Sequence, residues 1–299
     1  MKKIYFFQKD NEIEKIEKGK GFVLLPSSVA WEKFAWTRKY YQKKPKGGYF
    51  LWVKESLSEP FLGCIIACTK KISQNLENLL VVEPGKKIKI KNTCLVQKKN
   101  LSVFHQVKGK VLLKKGAILD YEHFHYWGKE DEVSPFYEFF LEKEAELNYF
   151  YKNFSSPKKL FLKTKIFSFE KSKFDLRVAI KAEKGEVEVE EEGFLEKKGA
   201  QGTIKIKIVG DKGSKIKTLS RLFAKASSKG HLECQGLMLD EKSRMDFVPE
   251  LISESKKAKL SHEASIGKIS EEELFYLRTR GFSQKEAIDI ITRGFLEKI

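Results

Sequence analysis

The chain has 299 residues, 41% of them hydrophobic, enough for one large domain or two smaller ones with a sizeable core. Its 58 Lys and Arg against 41 Asp and Glu give a formal charge of +17, which favours anionic partners. Lysine greatly outnumbers arginine and alternates with apolar residues, as in Ile88–Lys91 and Ile204–Ile208, without an Arg-rich stripe or nucleic-acid motif. That pattern describes a solvated sheet face and excludes nucleic acid as the expected partner. Abundant Lys and Glu also fit a thermophilic source.

The apolar run after Met1 is too short for a signal peptide, and no stretch approaches the ~20 apolar residues of a spanning helix. A cytoplasmic, reducing location without membrane contact is expected. There, the four cysteines, Cys64, Cys68, Cys94 and Cys234, are buried, ligating or reactive rather than disulfide-bonded.

Residues 1–60 mix helix and strand. Pro26-Ser-Ser28 starts a helix that runs through Ala30–Tyr41, with Trp31, Phe34 and Phe50 as packing residues; Pro45–Gly48 then turns the chain into a strand at Tyr49–Val53. Residues 61–262 change character. Short alternating strands recur around turns at Gly85, Gly116, Glu144, Gly185 and Gly213, at intervals of 31, 28, 41 and 28 residues. A strand–turn–strand unit repeated at this period predicts a solenoid, each unit burying its apolar face against the next. The competing fold is an antiparallel sandwich; the pattern favours a mainly β, parallel β-helix core.

Residues 263–299 form a helical segment, preceded by a polar elbow around Leu260–Gly267. Ser270 with Glu273, and Ser283 with Glu286, are capping boxes, and Gly281 and Gly294 are the corresponding stops. Leu274, Phe275, Leu277, Ile288 and Ile291 make apolar stripes at helical spacing. Such stripes usually pack on their own domain; short capped helices at this point could also dock a partner.

Cys234 interrupts a strand-like run, His231-Leu-Glu-Cys-Gln-Gly-Leu-Met-Leu239, and His262-Glu263 lies downstream. Cys, His and Glu can hold iron or zinc, although a lone Cys in a strand is more often core. A free thiol is only about 3% thiolate at neutral pH, so a sulfur-accepting Cys needs nearby positive charge or metal. Cys94 lies at a probable turn, in Lys91–Gln97, and His105 follows it. His123 and His125, two apart, share one face of a strand. They could hold a metal; the plainer reading is a partly exposed aromatic–imidazole strand packed on its neighbours. No Ser-His-Asp order, phosphate loop or zinc-protease motif is present.

The C-terminal string is similar to the signature of the SufB/SufD family of iron–sulfur cluster assembly scaffolds. His262-Glu263-Ala264, Leu274-Phe275-Tyr276, Arg280-Gly281 and Gly294-Phe295 stand in the family's places. Cys234-Gln-Gly-Leu-Met-Leu resembles the segment with SufB's scaffold Cys, and Asn92-Thr-Cys94-Leu-Val-Gln resembles that with its sulfur-entry Cys. The stretch from His105 to Trp127 and the Trp31–Tyr41 segment extend the resemblance over most of the chain. It implies a right-handed parallel β-helix and C-terminal helices that dock a SufC-type ABC ATPase, with Leu274, Phe275, Tyr276, Arg280, Phe282, Ile288 and Phe295 as the docking candidates.

The resemblance also implies that Cys94 receives sulfur from a persulfide donor protein, while Cys234, Glu263 and His262 bind iron or a transient cluster, with His105, His123 and His125 as further candidates. Both cysteines and the His-Glu pair make the chain more SufB-like than SufD-like. It is short for a full SufB and resembles compact, minimal-system versions, for which a homodimer is expected. The leading expectation is a scaffold, not an enzyme, with ATP hydrolysis in the partner. A SufD-like protomer that docks the ATPase without building a cluster is the alternative. A β-helix hydrolase or lyase acting on acidic polysaccharide is a remote third.

Overall fold

A computed structural model describes residues 4–297 and 299. The chain opens with β1 (Ile4–Lys9), β2 (Glu12–Ile16) and β3 (Phe22–Pro26), then α1 (Ser27–Lys33), a 3-10 turn over Ala35–Tyr40 and β4 (Tyr49–Val53). The next strands are β5 (Phe61–Ala67), β6 (Ser73–Val82), β7 (Lys87–Val96), β8 (Phe104–Leu113), β9 (Ile118–Tyr126), β10 (Glu132–Leu141) and β11 (Glu146–Asn153). After them come β12 (Lys159–Ser168), β13 (Lys173–Glu183), β14 (Glu186–Leu195), β15 (Gln201–Asp211), β16 (Lys215–Ala224) and β17 (Lys229–Met238). The chain finishes with β18 (Arg244–Ser253), β19 (Lys259–Lys268), α2 (Glu271–Thr279) and α3 (Gln284–Glu297).

From β4 onward, successive strands alternate between two sheets, and each pairs in parallel with the strand one coil away. One sheet has the order β19-β17-β15-β13-β11-β9-β7-β5-β1-β2 and the other β18-β16-β14-β12-β10-β8-β6-β4-β3. This is a parallel β-solenoid, and the parallel registers exclude the sandwich. Antiparallel pairing is confined to its first end, where β2 lies on β1 and β3 on β4. Among the described residues, no helix is long and apolar enough to cross a membrane.

Alternation along each strand sends every second side chain inward. β9, β10 and β12 show an almost strict buried–half-buried alternation. The inward residues form one continuous core from Phe6 and Phe61 through Leu119, Tyr149, Leu176 and Ile206 to Cys234. The outward lysines meet acidic residues one coil away. Lys89 and Lys91 both reach Glu122 at 3.0 Å, Lys165 reaches Glu192 at 2.9 Å, and Arg221 bridges Glu192 and Glu250 at 3.2 and 2.7 Å. Such surface pairs contribute at most about 1 kcal/mol each. On the outer face of the second sheet, two residues along from Lys165, Glu192 and Arg221, the rings of Phe140, Phe167, Phe194 and Phe223 stack in register, with centroids 5.0, 4.8 and 4.7 Å apart and ring planes within 9° of parallel.

The turn ladder differs from its sequence reading in one respect. Gly85, Gly116 and Glu144 occupy one corner in the left-handed region, at φ of 67°, 67° and 59°. That corner continues at Lys171 and Gly199, each N–H donating to the next coil, as from Glu144 to Glu170 O at 2.9 Å and from Lys171 to Lys198 O at 3.1 Å. Gly185 and Gly213 belong to a different corner, where Lys184, at φ 60°, carries the turn in place of Gly185. The 41-residue interval therefore joined two corners. A left-handed Lys gives no sequence signal, whereas Gly does.

At the N-terminal end, the expected single helix over residues 28–41 breaks at Phe34 into α1 and the 3-10 turn. Both pack with Phe50, Leu79, Val81 and Leu112 on the outside of the second sheet. At the C-terminal end, the expected polar elbow is instead the strand β19. Ser270 caps α2 by accepting from Glu273 N–H at 3.4 Å. The second box is reciprocal: Ser283 N–H donates to the Glu286 carboxylate at 2.8 Å, and Glu286 N–H to Ser283 Oγ at 3.3 Å. Gly281 is left-handed at φ 93°. Gly294, expected as a stop, lies inside α3. Phe295 and Leu296 pack on Ala179, Val209 and Leu237 of the first sheet, and that burial outweighs the ~1 kcal/mol helix penalty of one Gly.

Candidate functional site

Cys94 sits within β7 rather than at a turn, pointing into the solenoid with 2% exposure. Register pairs Cys94 with His125 and Asn92 with His123 on β9. Adjacent coils thereby bring a thiol and two imidazoles to one level of the interior. The two histidines share a face, as their spacing predicts, but the expectation of partial exposure is overturned: they are 1% and 0% exposed. Tyr126, between His125 and Trp127, carries the exposure of that strand instead. Among the described residues, Cys94, His123 and His125 form the one group of three Cys, His, Asp or Glu with ligand atoms mutually within 4.8 Å.

The hydrogen bonds around them are directional. Trp127 Nε1–H donates to His125 Nδ1 at 3.0 Å, and Tyr151 Oη lies 3.0 Å from the same nitrogen. His125 Nε2 is 2.9 Å from His123 Nε2, Cys94 Sγ is 3.5 Å from that nitrogen, and His123 Nδ1 is 3.3 Å from Tyr149 Oη. An indole N–H can only donate, so His125 Nδ1 accepts and the proton of the neutral ring lies on Nε2. That proton points at His123 Nε2, which leaves His123 Nδ1 as the donor to Tyr149. Tyr137 completes the wall, its ring 5.5 Å from that of His123. It fits there because residue 109 is Gly; a Cβ at Gly109 would sit 2.2 Å from the Tyr137 ring.

His105 lies beside this group from β8, its ring 6.0 Å from His125 and 4.6 Å from Trp127. Its Nδ1 donates to Gln74 Oε1 at 2.7 Å, while its buried Nε2 has no partner. Burial pushes His105 and His123 down to about 3 and His125 well below the ordinary value, keeping all three neutral. The same desolvation raises the Cys94 thiol, so it is held protonated.

Cys234 lies in β17, in the same inward column as His123: the register runs His123, Tyr151, Val178, Ile206, Cys234, Ala264. Five inter-strand steps separate β7 from β17, about 24 Å at ~4.8 Å per step. Cys234 is 0% exposed and lies 3.7 Å from Ser220 Oγ. Burial raises its thiol, with the Ser220 contact acting in the opposite direction. Thr164, Glu191 and Ser220 occupy one register position on the facing sheet. Glu191 is fully buried and neither carboxyl oxygen makes a hydrogen bond of good geometry. Burial raises it well above its ordinary value, with nearby Thr164 offsetting only part of that. Sequence reading missed Glu191 inside the acidic run Glu186–Glu192. The signal was there: 191 shares the inward parity of Val187 and Val189.

His262 and Glu263 lie in β19, the last strand of its sheet, and are exposed. Glu263 pairs with Glu233 and His262 with Leu232, whereas Cys234 pairs with Ala264. Glu263 therefore has the outward parity and Cys234 the inward one, so this chain by itself does not gather Cys234, His262 and Glu263 around one point. Of the docking candidates, Phe275, Tyr276, Arg280 and Phe282 are exposed, Phe275 by 70%. Leu274 and Ile288 are half-buried, and Phe295 packs against the sheet. The Arg280 guanidinium lies over the Tyr276 ring, 5.2 Å from its centroid.

Residues 65–295 match the family model described as "SUF system FeS cluster assembly, SufBD core domain". The chain is 28% identical to an iron–sulfur cluster assembly SufBD family protein of Methanothermobacter thermautotrophicus, over 91% of this chain and 72% of that protein. It is 30% identical to a SufBD family protein of Archaeoglobus fulgidus, over 93% and 79% respectively. A SufBD family protein of Staphylococcus epidermidis is 24% identical over 84% of this chain and 55% of its own length.

Proposed function

Because the chain belongs to the SufBD family of the SUF iron–sulfur cluster assembly system, we propose that it is a scaffold subunit on which a nascent cluster is built. Its part in iron–sulfur cluster assembly follows from the family; the scaffold role is supported by one observation above others. Two inward-facing cysteines, Cys94 and Cys234, lie on one solenoid axis with polar groups between them, Tyr151, Thr164, Glu191 and Ser220. In this reading Cys94 accepts sulfur from a persulfide donor protein, and sulfur moves toward Cys234, at the end where His262 and Glu263 are exposed. Both thiols are protonated at rest, so acceptance requires local opening or a nearby cation.

Cys234 and Glu263 face opposite sides of the sheet, so a cluster there would take ligands from a second SufB/SufD-type protomer, in the expected homodimer. The exposed aromatic residues of α2 would dock a SufC-type ABC ATPase in the cytoplasm, with ATP hydrolysis in that partner. The SufD-like alternative keeps the docking and drops the cluster. Nothing in the family match favours a polysaccharide-cleaving role.

The deciding experiment is anaerobic reconstitution with iron and sulfide in the presence of the ATPase partner, followed by visible and Mössbauer spectra, with wild type beside Cys234→Ala. A cluster signature lost in the variant supports the scaffold. No cluster in either, with the ATPase still bound, moves the assignment to the SufD-like role.

A further inference from the structure

We propose that Cys94, His123 and His125 form a binding site for one divalent ion of the zinc or ferrous class, and that the Trp127 indole holds this site in its metal-free form. The proposal concerns a bound ion and stands whether or not a cluster is built on this chain.

Three observations carry it. First, the donor geometry is close to that of a metal site. A tetrahedral ion with bonds of ~2.3 Å to sulfur and ~2.0 Å to nitrogen spaces its ligands by roughly 3.5 Å for S···N and 3.3 Å for N···N. Cys94 Sγ to His123 Nε2 is 3.5 Å, and the two Nε2 atoms are 2.9 Å apart. The second pair is short because a hydrogen bond now joins the nitrogens; an ion replacing that proton would part them by a few tenths of an ångström.

Second, the outer partners are in place. Ligating imidazoles use their other nitrogen to hold a hydrogen bond that fixes the ring. Tyr149 Oη faces His123 Nδ1 and Tyr151 Oη faces His125 Nδ1. Third, the fully buried His105 keeps an unpartnered Nε2 next to the group. Three protein ligands leave a fourth position open for an exogenous ligand, and the His105 ring, 6.0 Å from that of His125, adds an unpartnered nitrogen to the same buried region. Thiolate with imidazole selects zinc, cobalt or ferrous iron over magnesium or calcium.

Trp127 opposes binding. Its N–H fixes His125 as the tautomer with the proton on Nε2, the atom an ion would need. Binding moves that proton to Nδ1, where Tyr151 can accept it, and leaves the indole N–H without an acceptor. A buried donor left unsatisfied weakens binding by roughly tenfold or more. The ligand cysteine is deprotonated as the metal–sulfur bond forms, and its proton leaves to solvent.

The test uses the whole 299-residue chain, reduced and stripped of metal by chelator. Cobalt(II) is added to the folded protein and, in a second arm, during refolding, since the site is closed to solvent. One cobalt per chain is expected, with a thiolate-to-cobalt charge-transfer band and the intense visible bands of four-coordination, both displaced by zinc. Cys94→Ser removes the charge-transfer band, His123→Gln and His125→Gln each weaken binding at least tenfold, and Cys68→Ser changes nothing. Trp127→Phe tightens binding about tenfold, the size set by releasing one buried donor.

Absence of the band in both arms, or its survival in Cys94→Ser, overturns the site. Unchanged or weaker binding in Trp127→Phe overturns the tautomer lock. If Cys94→Ser does not fold, X-ray absorption on the wild-type cobalt form decides instead: one sulfur and two imidazoles support the site, and any other protein ligand set overturns it.

Discussion

The two cysteine-bearing regions of this solenoid are built from the same strand pattern and end in opposite situations. Cys94 lies three strands in from one end of their shared sheet, covered by β5, β1 and β2, and its histidine neighbours are tied by directional hydrogen bonds to Trp127, Tyr149 and Tyr151. Cys234 is equally dry but lies one strand from the end, under β19, whose residues are almost all exposed. The interior of a solenoid is thus a sealed store along most of its length and a nearly open one at its last coil. Position along the axis, more than local sequence, sets what a thiol can do.

The largest test of this contrast compares packing at the two places. Tyr149→Ala, at a fully buried ring, should cost about 3–5 kcal/mol, whereas Ile266→Ala on β19, 43% exposed, should stay within about 0.5 kcal/mol. Urea denaturation measures both, and equal costs would erase the contrast.

The next concerns Glu191, midway between the regions. Its folded-state value is raised above the ordinary 4.5, so the unfolded chain releases the proton first as pH rises. Its contribution is whole below about 4.5 and falls as pH climbs toward the folded value, by up to ~1.4 kcal/mol per pH unit. Glu191→Gln should lose that slope and be the more stable form at neutral pH. Parallel pH profiles of wild type and variant would show otherwise.

The thiols themselves give a kinetic comparison. With labelling read peptide by peptide, Cys234 should react with a neutral alkylating reagent at least several-fold faster than Cys94, because releasing the one strand β19 needs less local unfolding than releasing the three strands β5, β1 and β2 that cover Cys94. Faster labelling of Cys94 would reverse the assignment of sealed and near-open ends.

The smallest effect is at a corner. Glu144 is held at φ 59°, a conformation that costs a non-glycine residue roughly 1–2 kcal/mol. Glu144→Gly should raise stability by about 0.5–1 kcal/mol, after the entropy loss of glycine. A lower melting temperature in the variant would show that Glu144 makes a compensating contact.

Much of this was legible in the sequence. Period-two alternation and left-handed glycines announced the coils, and the spacing of His123 and His125 put them on one face. Three things were not legible, each for a physical reason. The corner at Lys171 carries no glycine, so the count slipped to Gly185 of another corner, where the left-handed residue is its neighbour Lys184. The meeting of Cys94 with His123 and His125 depends on register between coils, which varies by a few residues from one coil to the next. The strand at Lys259–Lys268 has few apolar residues because it lies at the end of its sheet, and it therefore read as an elbow.

The phenylalanine stack on the outer face has a geometric consequence. Neighbouring strands in ordinary sheets rotate by about 20–25°, which over the three steps from Phe140 to Phe223 would turn the rings out of contact. Rings that stay parallel to within 9° from one coil to the next go with strands of little twist, a flatness that side-chain ladders are known to maintain. This stretch of the second sheet is therefore close to flat. With so little rotation per step, each coil sits over the one before, and the inward column through Tyr151, Val178 and Ile206 runs along the axis rather than spiralling around it.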